Sequence, residues 1–77
     1  MKVTMETRVT GTSHKISKQG KPYDVIGFLD GADVVQAMAD EKVDVHGIRP
    51  FEPYVLTLDI NMGRYMSVKV VEVKEVK

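Results

Sequence analysis

Seventy-seven residues make one small domain, which buries only about 60% of the surface its unfolded chain exposes. The absence of cysteine excludes disulfides and thiolate metal sites. A balance of 11 basic and 11 acidic residues excludes a globally basic nucleic-acid binder, so the distribution of charge becomes the question.

That distribution is polarised. Residues 1–31 carry five basic side chains against three acidic ones, residues 32–53 two against five, and residues 54–77 four against three. The chain therefore has a basic beginning and an acidic middle. Met1-Lys2-Val3-Thr4-Met5-Glu6 never opens into an apolar stretch, and the longest apolar run, Val25-Ile26-Gly27-Phe28-Leu29, is far short of a membrane span. A soluble, cytoplasmic protein without a signal peptide is expected.

In chain order, Val3, Met5, Thr7 and Val9 alternate with Lys2, Thr4, Glu6 and Arg8, the period of a half-buried strand. Next comes Ser13-His14-Lys15-Ile16-Ser17-Lys18-Gln19-Gly20-Lys21-Pro22-Tyr23, in which three lysines and a histidine flank a Gln-Gly turn with no acid among them. This is the chemistry of a basic hairpin with an aromatic beside it, suited to a flexible polyanion with stackable bases. Pro22 suits the start of a strand, where no N–H is needed. Asp30-Gly31 then predicts a second reversal.

Residues 32–43 admit two readings. They form either a short helix capped by Asp33 or Asp30, with Val34, Val35 and Met38 inward, or the return strand of an Asp30-Gly31 hairpin. The turn tips the reading towards strand. Beyond it, Tyr54, Leu56, Leu58 and Ile60 share one face of a strand, Asn61-Met62-Gly63 marks a turn, and Met66, Val68 and Val70 share the next face. Val71 and Val73 fall out of phase, which predicts a β-bulge near Val70-Val71. Five or six short strands without a long linker predict an all-β fold, a small antiparallel barrel whose closure removes the edges.

Candidate site residues follow from exposure and charge. Lys15, Lys18 and Lys21 can displace the counterions of a polyphosphate, although lysines also simply solvate a hairpin. Tyr23, directly after the basic turn, is placed to stack on a base, its alternative being a half-buried wall residue. Phe28 fits core and contact equally. Arg64 and Tyr65 follow Gly63 in a tight turn, where an exposed aromatic suggests binding or dimerisation; cross-strand pairing is the alternative. His14 and His46 have no ligating partners at metal-site spacing, and no phosphate loop, nucleophile elbow or acid–base pair is present. Neither a metal, a cofactor nor catalysis is expected. The acidic residues Asp40, Glu41 and Asp44 form a charged loop whose first reading is a solvated one; as part of the acidic middle they also suggest a docking face for the basic hairpin of a neighbouring copy.

The run Ser17-Lys18-Gln19-Gly20-Lys21-Pro22-Tyr23 resembles the corresponding hairpin of the filamentous-phage gene V protein family, and Tyr54-Val55-Leu56-Thr57-Leu58 followed by Gly63-Arg64-Tyr65 agrees in order and spacing. The likeness covers the chain outside residues 32–53. It implies a five-stranded OB-like barrel with protruding hairpins, forming a homodimer that coats single-stranded DNA. Lys18 stands where the family has a phosphate-contacting arginine, Tyr23 where a tyrosine lies against DNA, Val25 where an apolar residue shares that strand face, and Tyr65 where an aromatic stacks beside the partner subunit's site. His14 and Lys15 adjoin Ser13, where the family has another arginine, and Glu72 replaces a basic residue. Phe28 is the nearest equivalent of the family's tyrosines in the following loop.

The expected function is sequence-tolerant binding and protection of single-stranded DNA in phage or mobile-element replication. No residue here identifies a 2′-hydroxyl contact, so RNA stays open. The rival is a β-barrel protein-interaction module in which Tyr23, Phe28 and Tyr65 contact a polypeptide; zero net charge and Glu72 favour it.

Overall fold

The computed structural model describes residues 1–76. Five strands, β1 (Lys2–Ile16), β2 (Pro22–Asp30), β3 (Asp33–Ala39), β4 (Pro53–Met62) and β5 (Met66–Glu75), close into a barrel in the order β1-β2-β3-β5-β4. This is an OB-like barrel. All neighbours are antiparallel except β3 and β5, which run parallel over a short contact at Met38 and Ala39.

β1 is long enough to serve both sides of the barrel. Its first half pairs with β4, from Lys2 opposite Asp59 to Arg8 opposite Pro53, and its second half with β2, from Val9 opposite Phe28 to Ile16 opposite Pro22. The change of partner needs a bend, and Thr10 supplies it as an extra residue between Val9 and Gly11. Such a bulge increases local twist and reverses which side chains face inward. Val9 is therefore inside before the bulge, while Gly11, Ser13 and Lys15 point outward after it. A Cβ on Gly27, opposite Gly11, would meet Thr10 Oγ1 at 2.6 Å, so a side chain there would force Thr10 to shift.

The predicted bulge in the last strand is present. Thr57 pairs with Glu72 but Leu58 pairs with Val70, leaving Val71 as the unmatched residue. Val68 and Val70 face the core before it and Val73 packs on the core after it, so the slip in apolar phase is matched by a slip in backbone register.

Residues 32–43 are not helical. The Asp30-Gly31 hairpin forms, with Asp30 paired to Asp33 across a two-residue turn, and Gly31 takes a φ of 63° that side chains disfavour. Tertiary pairing with β2 outweighs the helix propensity of Ala37-Met38-Ala39.

Val9, Ile26, Leu56 and Val70 are fully buried, with Phe28, Ala37, Ala39, Tyr54 and Leu58 around them. Burying a large apolar side chain contributes about 1.5–3 kcal/mol. One end of the barrel is covered by the irregular segment 40–52, whose Val43, Val45 and Ile48 pack against the core. Two of its four acids are used locally: Asp40 Oδ1 accepts from the Lys42 amide at 3.1 Å and Asp44 Oδ1 from the His46 amide at 3.0 Å, both Asx turns. Asp40 also lies 3.8 Å from Lys69 Nζ. The segment re-enters the barrel through Phe51, whose amide donates to Val9 O at 2.6 Å. Among the described residues no helix is long and apolar enough to cross a membrane.

Candidate nucleic-acid interface

The loop between β1 and β2, residues 17–21, is built by short-range hydrogen bonds. The Gly20 amide donates to Ser17 O and the Ser17 amide to Lys21 O, each at 2.9 Å, while the Lys21 amide donates to Ser17 Oγ at 3.1 Å. Gly20 adopts a φ of 81°, accessible to glycine without strain. The loop thus satisfies its own backbone and leaves its side chains to solvent. Lys15, Lys18 and Lys21 are all exposed. None of them lies in an ion pair among the described residues, whose pairs join the N-terminus to Asp59, His14 to Asp24, Lys69 to Asp40 and Lys74 to Glu72.

Strand alternation sorts the rest onto two faces. Lys15 is paired with Tyr23, side by side on the outer face, and Tyr23 is partly exposed. The same face continues along β2 and β3: Val25 lies between Ser13 and Met38, Gly27 between Gly11 and Gln36, and Leu29 beside Val34. Val34 and Met38 are 59% and 44% exposed. The outcome is a sheet face with a cationic loop at one end and exposed apolar side chains on β3, its middle at Val25 and Gly27 being buried. OB folds bind oligonucleotides on this face and on the β1–β2 and β4–β5 loops.

Two expected contacts are placed elsewhere. Phe28 is 2% exposed and belongs to the core cluster, since it points inward between Val9 and Val35; it is not available to a ligand. His14 pairs with Asp24 on the opposite face of the hairpin from Tyr23, its Nδ1 2.9 Å from Asp24 Oδ1. That contact ties the histidine to a carboxylate and removes it from the lysine set.

Arg64 and Tyr65 lie at the tip of the β4–β5 hairpin. Tyr65 is 80% exposed, and the Arg64 guanidinium sits 6.0 Å from its ring centroid, a cation–π distance. They are far from the lysines of the same chain. A hydrogen-bonded row runs from Ser13 through Val25, Met38 and Lys69 to Asp59. The β1–β2 loop leaves that row in one direction and the β4–β5 tip in the other. Gly20 and Tyr65 are separated by nine strand positions, roughly 30 Å at about 3.3 Å per residue. One chain therefore presents two separate groups, Lys15, Lys18, Lys21 and Tyr23 at one end of the face, Arg64 and Tyr65 at the other, while Val25, on the same face as Tyr23, is buried and not available to a ligand.

Phe51 attracts no attention in the sequence. It is 68% exposed with a φ of 65°, uncommon for a bulky residue, and its carbonyl accepts from Arg8 Nη1 at 2.8 Å. Only the closure of the 40–52 segment onto β1 explains this geometry. Among the described residues no group of three or more His, Cys, Asp or Glu side chains is placed to hold a metal ion.

Compared with family models, with curated proteins and with solved structures, the chain matches none of them. None of these comparisons bears on the resemblance to gene V proteins drawn from the hairpin residues.

Proposed function

We propose that this protein binds single-stranded DNA with little sequence preference, coating and protecting it in the replication of a phage or other mobile element. It acts by stoichiometric binding in the host cytoplasm, as a homodimer. The observation that carries this reading is the Lys15–Tyr23 pair on the outer face, continuous with a loop whose lysines have no acidic partner among the described residues. Phosphates bind through Lys15, Lys18 and Lys21, and bases stack on Tyr23, a contact of roughly 1–3 kcal/mol per base. The two groups of site residues, at opposite ends of one chain, fit a strand that passes from one subunit to its partner, with Arg64 and Tyr65 engaging beside the partner's loop.

A protein-interaction module is the second reading, favoured by the exposed Met62, Tyr65 and Met66 at the β4–β5 tip. Anisotropy of labelled 16-nucleotide oligomers separates the two. Oligo-dT and mixed-sequence strands are expected to bind with affinities within a few-fold of each other, and duplex DNA far more weakly. No binding to either single strand at low salt rejects the nucleic-acid reading.

A further inference from the structure

We propose that the open edge of β3 is a self-association surface, where two copies join by antiparallel pairing of residues 34–36 about a twofold axis at Val35. Hydrogen-bond direction along β3 leads to this surface. Asp30 and Asp33 flank a two-residue turn, so they form a hydrogen-bonded pair, and bonded and non-bonded pairs then alternate along the ladder. Val35 and Ala37 accordingly bond to β2, while Val34, Gln36 and Met38 turn their N–H and C=O groups to the other side. The Asp40 amide, on that same side, donates to Val70 O at 2.8 Å, as this alternation requires.

On that side β5 reaches only Met38 and Ala39. Among the described residues no strand lies beside Val34 and Gln36, whose backbone groups form an unpaired edge. Edges that must stay free are normally blunted by lysine, proline or a bulge. This one has Asp33 as its only charge, no proline and no bulge, and its outward side chains include the exposed Val34 and Met38. The exposed Met66 on β5 follows the opposite wall of the same seam.

The free groups select one register. With the twofold at Val35, Val34 faces the partner's Gln36 and Gln36 the partner's Val34, so both narrow pairs exchange both of their backbone bonds. Asp33 then faces the partner's Ala37, so no like charges oppose each other. Shifting the axis to Gln36 would demand Met38, which β5 already engages. The contact is isologous and closes on itself. It supplies the additional burial that a small domain without staples gains from dimerisation, and it joins two outer faces into one sheet with a Lys15–Tyr23 pair towards each end.

This surface is independent of any nucleic-acid role, and its test is chosen accordingly. Sedimentation equilibrium of the full chain at 1–200 µM is expected to show a monomer–dimer equilibrium (concentrations on the order of those needed for weak self-association). Gln36→Pro removes an N–H that faces away from β2, a position where an edge strand tolerates proline. It should weaken association at least about tenfold, with the barrel's circular dichroism unchanged; Val34→Pro serves as the second variant. Hydrogen exchange on the unmodified protein should show the Val34 and Gln36 amides losing protection on dilution, while the Val35 and Ala37 amides keep theirs. A monomer throughout, or a dimer whose Val34 and Gln36 amides exchange freely, overturns the proposal. Oligo-dT binding measured on the same samples reports separately on the nucleic-acid reading.

Discussion

At the scale of single residues, two aromatic side chains on one strand divide between chemistry and packing. Tyr23 lies on the outer face of β2 beside Lys15, whereas Phe28, five residues on, points into the core. Replacing Tyr23 with alanine should leave the melting transition nearly unchanged and weaken oligo-dT binding by roughly 5- to 150-fold, the equivalent of 1–3 kcal/mol. Phe28→Ala should instead destabilise the fold by about 3–5 kcal/mol, with binding lost only as the protein unfolds. Denaturant melts paired with anisotropy titrations check both. Phe51 offers a third test. A left-handed conformation costs a side-chain-bearing residue roughly 1–2 kcal/mol, and this ring is mostly solvated, so Phe51→Gly should unfold no earlier than the parent. An early melt would mean that the ring itself holds the 40–52 segment in place.

At the scale of elements, the two bulges decide which residues the barrel exposes. Deleting Val71 leaves Val70, Glu72 and Val73 opposite Leu58, Thr57 and Leu56 in uninterrupted alternation with the inward set unchanged, so the expected cost is that of the local twist the bulge supplies, about 1–3 kcal/mol. Val71→Ala, which keeps the extra residue, should cost less than about 1 kcal/mol in the same urea melts. The β5 bulge was legible in the sequence because valines lie on both sides of it and their phase visibly slips. The β1 bulge was not, since Thr10-Gly11-Thr12-Ser13 has no apolar period to slip. That blind spot hid the split between Lys15 on the outer face and His14 beside Asp24. Turn chemistry located the Asp30-Gly31 hairpin, and a strand outweighed the helix alternative once β2 stood beside it. The core position of Phe28 was hidden within an unbroken apolar run, where alternation gives no face.

At the scale of the whole molecule, net charge says little and its placement says more. Acids are used locally in the 40–52 turns and in pairs such as Lys69–Asp40, while among the described residues the β1–β2 loop keeps its lysines unpaired. Asp40 and Asp44 are thus committed to their own turns, which weakens the expectation that the acidic middle docks a neighbour's basic hairpin. Each phosphate neutralised on a single strand contributes a slope of about 0.7 in the log of affinity against the log of salt. Three lysines predict a slope of magnitude about 2, and glutamine at Lys15, Lys18 and Lys21 together should reduce it to near zero.

Tyrosine emission reports on the Lys15–Tyr23 surface itself. Tyr54 is buried, with its hydroxyl accepting from the Arg49 amide at 2.8 Å, so in a Tyr65→Phe background the responsive fluorophore is Tyr23. Titration with oligo-dT at low salt should quench that emission, and added salt should restore it with a slope of about 2. Emission that stays constant while the oligomer is seen to bind by anisotropy would contradict stacking on Tyr23, and with it the joint action of the ring and the lysine loop on an unpaired strand.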